Sequence, residues 1–249
     1  MTNTSETGHA KNVTNLESLI TSIIALETSY NPSRDSIKLP ALQALLTAST
    51  ESLNAVNIAQ AAYSNAVAAR KVAFEPFSKL ITRVMNSLKA SGASTQVVQS
   101  ARTIVRKLQG RRASAKITEE EKKALEAEGK EVNQISASQM SFDNRIENFD
   151  RLIMLLSSIP LYNPNEDELK VETLKALHNQ LKEKNSEVIL PIVQLSNSRM
   201  TRNKILYSEN TGLVDVALDS KTYIKSIFGA TSPQYKQISK LRFIRPKRR

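Results

Sequence analysis

The chain matches itself at an offset of 132 residues. The stretch YNPSRDSIKLPALQAL at 30–45 aligns with YNPNEDELKVETLKAL at 162–177, and the register continues without a gap to residues 89 and 221. Of these 60 aligned positions, 15 are identical. After a five-residue insertion the match resumes at an offset of 137, where GAST at 92–95 pairs with GATS at 229–232. This self-similarity predicts a duplicated architecture, in which both copies fold in the same way.

The composition favours helices in both copies. The 249 residues include only six Gly and eight Pro, and aromatic residues make up 5%. Ala, Leu, Ser, Lys, Glu and Ile dominate, which is typical of an ordered all-α protein. Beyond its first turn, the stretch from Leu39 to Phe74 contains neither Gly nor Pro and therefore predicts one long helix.

Signals for helix starts occur at three places. Ser94 or Thr95 should cap a short helix that Gly110 closes, and Ser232 should cap its counterpart in the second copy. Thr118 begins a capping box, TEEE, which predicts the start of a helix of about forty residues that continues to Pro160.

These signals predict an all-α, elongated protein of two tandem helical-bundle units. Each unit should contain two long helices and a third strut made of two short helices. We assign residues 1–12 to a disordered N-terminus, 13–117 to the first repeat, 118–243 to the second repeat and 244–249 to a basic C-terminal tail.

The residues offer little chemistry for catalysis. The chain has no Cys and only two His, and it lacks the glycine-rich patterns of phosphate-binding loops. His9 lies in the polar N-terminus, and His178 is expected to be an ordinary, partly exposed helix residue. We therefore predict no catalytic residue, no metal and no cofactor; an enzyme that uses carboxylates brought together by the fold is a third-ranked hypothesis.

Basic residues concentrate in two acid-free segments. Residues 76–118 and residues 220–249 each contain nine basic residues and no acidic one. These segments hold 18 of the 35 Lys and Arg residues, which leaves 17 basic against 24 acidic residues elsewhere, a formal charge of −7. The overall charge of +11 is thus unevenly distributed, a pattern that favours electrostatic attraction of a polyanion.

The sequence predicts two groups of candidate site residues. Those predicted to bind a polyanion are Arg102, Arg106, Lys107, Arg111, Arg112, Lys240, Arg242, Arg245, Lys247, Arg248 and Arg249. Polar residues that match between the copies are Asn65 with Asn197 and Arg70 with Arg202. The matched residues could form equivalent binding sites, or they could be helix–helix contacts kept in both copies.

Two hypotheses of function follow from this charge distribution. In the first, a non-enzymatic binding or scaffold protein engages nucleic acid through its phosphate backbone, without sequence specificity, because the basic run at 100–116 contains no aromatic residue for base stacking. In the second, acidic and basic surfaces pair between subunits of a homo-oligomer or with an acidic protein partner. No window is long and apolar enough to predict a membrane span, and the N-terminus lacks the pattern of a secretory signal, so we expect a cytoplasmic protein.

Overall fold

A computed structural model describes residues 8–111 and 140–245 of the chain. Within these residues the protein is all-α, as the composition predicts, and contains no β-strand. The described residues form nine α-helices: α1 (His9–Ile24), α2 (Leu39–Phe74), α3 (Phe77–Ala90), α4 (Thr95–Leu108), α5 (Phe142–Ser157), α6 (Val171–Ser186), α7 (Ile189–Tyr207), α8 (Leu213–Phe228) and α9 (Pro233–Ser239).

Serine side chains cap three of these helices. Ser94, Ser141 and Ser232 precede α4, α5 and α9, and each hydroxyl oxygen accepts a hydrogen bond from a backbone N–H of the first turn. Such bonds satisfy donors that have no partner inside the helix. The predicted cap at Ser232 is confirmed, and of the two candidates before α4 the cap is Ser94.

The start of α1 differs from the sequence prediction. The helix begins at His9, so residues 9–12, which we predicted to be disordered, are helical. Asn12 is 2% exposed because it packs against residues from the far end of the chain, a contact that local sequence does not reveal. Residues 1–7 lie outside the described part of the chain.

The start of α5 also differs. Met140 and Ser141 are not helical, and the Ser141 side chain caps a helix that begins at Phe142. The prediction of one continuous helix from Thr118 to Pro160 is therefore wrong at residues 140–141. Thr118 itself lies outside the described residues.

In the predicted second copy, the counterpart of the long helix α2 is broken into two helices, α6 and α7. α6 ends at Ser186 and α7 begins at Ile189, with Pro191 in the first turn of α7. Proline has no N–H to donate to the carbonyl of Glu187, and its ring crowds that carbonyl. Ala59 is the residue of α2 that aligns with Pro191, and α2 runs through this point unbroken.

The chain divides into two compact units that are interleaved in sequence. Unit 1 comprises Met1–Tyr63 and Pro191–Arg249, and unit 2 comprises Ser64–Leu190. The compact units do not coincide with the predicted consecutive repeats, 13–117 and 118–243. The predicted boundary between those repeats lies outside the described residues.

Each unit has its own hydrophobic core. The core of unit 1 combines residues of α1 and the start of α2 with residues of α8 and α9, among them Leu16, Leu42, Leu213 and Ile238. The core of unit 2 combines residues of α3 and α4 with residues of α5 and α6, among them Phe77, Leu108, Phe149 and Leu174. Both cores therefore draw on residues from before and after the segment 112–139.

The turns before α2 and α6 have the same geometry. Tyr30 donates its hydroxyl hydrogen to the carbonyl of Ile37 at 2.7 Å, and Tyr162 donates to the carbonyl of Leu169 at 2.8 Å. Salt bridges of 2.6 Å accompany both turns, Lys38 with Asp35 and Lys170 with Asp167. These parallels agree with the duplication, which stays a prediction.

The structure places the extra residues of the second half earlier than the sequence comparison does. Only residues 75–76 separate α2 from α3, whereas residues 208–212 separate α7 from α8. The sequence alignment puts the insertion after Lys221, because it counts isolated identities such as Val84 with Val216. Helix starts instead match Phe77 with Leu213, so the position of the insertion in the sequence alignment is corrected.

Candidate anion-binding cavity

The candidate site lies beside the helical hairpin of α3 and α4 in unit 2. Gly92, with a φ of 78°, occupies the turn between the two helices, in the left-handed region that favours glycine. Near the other end of the hairpin, Gln109 donates a 2.9 Å hydrogen bond from Nε2 to Oγ1 of Thr82. The apolar sides of both helices contribute to the unit 2 core, which leaves their polar sides facing each other outside it.

These polar sides enclose an open cavity of about 370 Å³. Buried Met85 and Val105 contribute its apolar surface, and Asn86 adds an exposed side-chain amide. The residues that line it are Thr82, Met85, Asn86, Lys89, Arg102, Val105, Arg106, Gln109 and Arg111. The lining thus combines basic and amide groups around a small apolar area, which suits a ligand with several hydrogen-bond acceptors.

Four basic residues and no acidic residue line this cavity: Lys89, Arg102, Arg106 and Arg111. In the part of the chain that the structure describes, no ion pair involves any of the four. Arg102 makes one long hydrogen bond, 3.5 Å from a guanidinium nitrogen to Oε1 of Gln99. Since a guanidinium carries five N–H donors, most of the donors of Arg102 are left for another acceptor.

The end of α4 positions two of these residues. The N–H of Arg111 donates a 2.9 Å hydrogen bond to the carbonyl of Arg106, across Gly110, whose φ is 64°. This left-handed cap turns Arg111 back toward the cavity that Arg106 also lines. Basic residues in a last turn also interact favourably with the helix dipole, so Arg106 and Lys107 stabilise α4 with or without a ligand.

The structure brings together three of the five residues predicted in the first basic segment. Arg102, Arg106 and Arg111 line the same cavity. Lys107 is half-buried and does not line it, and Arg112 lies outside the described residues.

The C-terminal basic residues have different surroundings. Arg245 donates from one guanidinium nitrogen to both carboxylate oxygens of Asp215 at 2.6 Å, and this hydrogen bond holds the pKa of Asp215 below its usual value. Lys240 and Arg242 have exposed side chains. Lys247, Arg248 and Arg249 lie outside the described residues.

Residues 242–244 are held against α1 by two buried amide side chains. Asn12 donates to the carbonyl of Ile244 at 2.8 Å and accepts from its N–H at 3.0 Å, while Asn15 donates to the carbonyl of Arg242 at 2.7 Å. Lys221 donates to the carbonyl of Leu241 at 2.7 Å, and burial lowers its pKa. Part of the second basic segment thus binds the protein itself.

Among the repeat-matched polar residues, the two arginines contact other side chains and the two asparagines are exposed. The guanidinium of Arg70 lies 4.0 Å from the centre of the Phe142 ring and donates to Oδ1 of Asn185 at 3.0 Å, so it is a contact between helices. Arg202 donates to Oδ1 of Asn203 at 2.8 Å, and burial lowers its pKa. Their companions Asn65 and Asn197 are exposed.

His9 takes part in a side-chain contact that the sequence did not suggest. Its Nδ1 lies 2.7 Å from the hydroxyl oxygen of Tyr207. Burial, with a smaller effect from the charge of Arg202, lowers the pKa of His9. The pair links α1 to the end of α7 within unit 1 and is a structural contact.

Sequence reasoning missed the part of the cavity that α3 supplies. Lys89, Asn86 and Thr82 were not among the candidate site residues, although Lys89 belongs to the acid-free segment. Pairing the two helices antiparallel across Gly92 would have shown that α3 lies beside α4 and supplies part of any site there, although it does not identify which residues lie opposite each other. Hairpin geometry was therefore the available signal.

Neither a metal site nor a membrane span is found in the described part of the chain. Residues 8–111 and 140–245 contain no group of three or more His, Cys, Asp or Glu side chains that could hold a metal ion. No helix within them is long and apolar enough to span a membrane. Comparison of the whole chain with known protein families, curated proteins and solved structures finds no match.

Proposed function

We propose that this is a non-enzymatic binding protein that holds the phosphate groups of a polyanion, with nucleic acid as the partner, at the α3–α4 cavity. The observation that carries the proposal is the convergence of Lys89, Arg102, Arg106 and Arg111 on one concave surface without an acidic residue. Guanidinium groups bind phosphate oxygens through paired N–H donors, and a cavity concentrates the field of its charges.

The cavity is the main contact in this proposal, and the C-terminal basic residues are secondary. Arg245 already pairs with Asp215, and Lys221 already binds backbone carbonyls. Lys240 and Arg242 have exposed side chains and can add to the attraction without a shaped site. The contacts are to the backbone of the nucleic acid, so binding is independent of sequence and weakens with salt.

Fluorescence anisotropy with labelled single strands and duplexes of mixed sequence tests this proposal. For the unmodified protein, the logarithm of the association constant should fall linearly with the logarithm of salt between roughly 50 and 200 mM. The double variant Arg102→Ala/Arg106→Ala should bind roughly tenfold more weakly at low salt and reduce the slope by about two.

A matched control removes two positive charges from elsewhere in the molecule. Lys175 on α6 and Lys204 on α7 are exposed and lie outside the cavity. The variant Lys175→Ala/Lys204→Ala should change the affinity and the slope much less than the cavity variant does. Equal weakening by both double variants, or a salt response that is flat, would contradict a cavity-directed contact.

Self-assembly is the second candidate function, and one surface favours it. The first turns of α7 expose four apolar side chains: Ile189, Leu190, Ile192 and Val193, between 47% and 64% exposed. Light scattering at several salt concentrations distinguishes assembly through paired charges from assembly through these apolar side chains. Association by acidic and basic surfaces should weaken with salt, whereas association by this apolar turn should persist.

A further inference from the structure

The contacts that complete both cores join the two halves of the chain. We name residues 8–111 the first half and residues 140–245 the second half. In unit 2, the ring of Phe77 from the first half lies 4.8 Å from that of Phe149 in the second half, in an edge-to-face arrangement. Phe74 and Phe142 form a second such pair, also at 4.8 Å. Phe77 and Phe149 are 1% and 0% exposed, so each of these two rings is buried in part by the other half.

The same holds in unit 1, where the first half supplies α1 and the second half supplies α8 and the C-terminal segment. The rings of Tyr30 and Tyr223 lie edge to face at 5.3 Å. Asn12 and Asn15 on α1 bind the backbone of residues 242–244, and Phe243 is 9% exposed. If the second half were removed, two buried amide side chains on α1 would lose their partners, which is costly.

Two ion pairs between the halves have opposite polarity. In unit 1, Arg34 from the turn before α2 pairs with Asp219 of α8 at 2.6 Å. In unit 2, Glu168 from the turn before α6 pairs with Arg83 of α3. Arg83 and Asp219 are each the seventh residue of their helices, and each pairs with the turn before α6 or α2 of the other half. Within these turns, Arg34 aligns with Glu166 and not with Glu168. The turn supplies the cation in one unit and the anion in the other.

This inversion determines which pairing is electrostatically favourable. If the first half paired with another first half, the turn that carries Arg34 would lie beside Arg83, and if the second paired with a second, the turn that carries Glu168 would lie beside Asp219. Only the combination of first with second half brings opposite charges together at both places. Like charges at a contact disfavour wrong partners, while single exposed ion pairs contribute little to affinity.

We infer that the two halves are each other's specific binding partners and that neither folds alone. Aromatic and amide contacts supply the affinity, and the inverted ion pairs supply the preference for a first half with a second half. This inference does not depend on the proposed function.

Cleavage of the full-length folded chain tests the inference. A protease site inserted after Gly129 allows the purified protein to be cut between the halves. After cleavage, the two fragments should elute together with unchanged helical circular dichroism, and they should separate only at urea concentrations that remove the helical signal. Separation with the helical signal retained would overturn the inference, and so would loss of the helical signal on cleavage.

Exchange between cleaved molecules tests the ion pairs. Cleaved protein is mixed with isotopically labelled cleaved protein, and mass spectrometry follows the exchange of halves. Arg83→Glu turns the attraction with Glu168 into repulsion and should accelerate exchange by roughly 2- to 30-fold. The double variant Arg83→Glu/Glu168→Arg should return the rate to within about twofold of the original.

Lys79 provides the matched control for charge reversal on α3. It is an exposed basic residue one turn before Arg83, and the ion pairs of the described residues do not include it. Lys79 lines the same cavity as Glu168 but is not paired with it, so Lys79→Glu should accelerate exchange clearly less than Arg83→Glu does. Equal acceleration by Lys79→Glu and Arg83→Glu, or no rescue by the double variant, would overturn the role of the ion pairs.

Discussion

Arg106 and Arg245 lie in similarly basic stretches of sequence but have different surroundings. Arg106 lines a cavity without acidic residues, whereas Arg245 binds both oxygens of the Asp215 carboxylate. Local sequence shows that both residues are basic, but it does not show that Asp215, thirty residues earlier, will reach one of them. At the scale of single residues, three-dimensional partners therefore decide which charges are available to a ligand.

Tyr162 gives a prediction about stability at high pH. Its hydroxyl is bound to the carbonyl of Leu169, and burial raises its pKa to about 12. The phenol of the unfolded chain ionises near pH 10, whereas that of the folded chain stays neutral to a higher pH. Between these two pKa values, ionisation therefore favours the unfolded chain. The contribution of Tyr162 to the unfolding free energy should therefore be complete below about pH 10 and be lost as the pH rises to about 12.

Comparison of the protein with Tyr162→Phe isolates this contribution. The variant should lose about 1 kcal/mol at neutral pH, the value of a typical hydrogen bond. Urea unfolding from pH 9 to 12 should show the two stability curves converging. Burial also raises the pKa of Tyr30, so the difference in unfolding free energy between the protein and Tyr30→Phe should also shrink as the pH rises. A constant difference between the curves would contradict the prediction.

At the scale of helices, the caps could be predicted because their partners lie within a few residues. Ser94 and Ser232 are recognisable from the residues that follow them. The starts of α1 and α5 were missed for two reasons: α1 is held by residues from the far end of the chain, and Ser141 offers no stronger local signal than the other serines around it. Apolar spacing of three and four residues cannot show that a helix is interrupted.

The contact of α1 with the C-terminal segment can be tested at Asn12. Asn12→Ala leaves the N–H and the carbonyl of Ile244 without their side-chain partners, which should cost about 1–3 kcal/mol. The segment should then detach, so trypsin should cleave after Arg242 earlier than in the unmodified protein. Thr14→Ala, at an exposed position of the same helix, should change neither the unfolding free energy nor the cleavage.

Pro191 and Ala59 give a paired prediction about the long helices. Ala59→Pro should cost roughly 3 kcal/mol, because it removes a hydrogen bond inside α2. Pro191→Ala should restore the hydrogen bond to the carbonyl of Glu187 and increase the helical circular dichroism. No change in helicity for Pro191→Ala would mean that tertiary packing, and not proline, separates α6 from α7.

At the scale of the whole molecule, the sequence predicted the all-α class but not which segments pack together. Local periodicity shows that α3 and α5 each have an apolar face, and it cannot show that these faces meet. The cavity was predicted in part for the same reason, since Arg102 and Arg106 lie on one helix while Lys89 comes from another. Pairing between distant segments depends on complementarity of shape and charge that no single segment contains.

The position of the chain ends gives a prediction about connectivity. Asn12 and Ile244 are hydrogen-bonded, so the two ends of the described chain lie near each other. A circular permutant that joins residue 249 to residue 1 and opens the chain after Gly129 should keep the fold. Its melting temperature should stay within about 4 °C of the original, the shift that 1 kcal/mol produces in a chain of this size. Loss of the helical signal would contradict the interleaved arrangement of the halves.

Gly110 and Met140 touch: a Cβ atom placed on Gly110 would lie 2.8 Å from the sulfur of Met140. The described residues on either side of the segment 112–139 therefore lie close together. Doubling the length of a flexible connection between two neighbouring points costs only about 0.6 kcal/mol, because closure entropy grows slowly with length. Two separate genes could thus become one at this point, or a foreign domain could be inserted there, without moving either half.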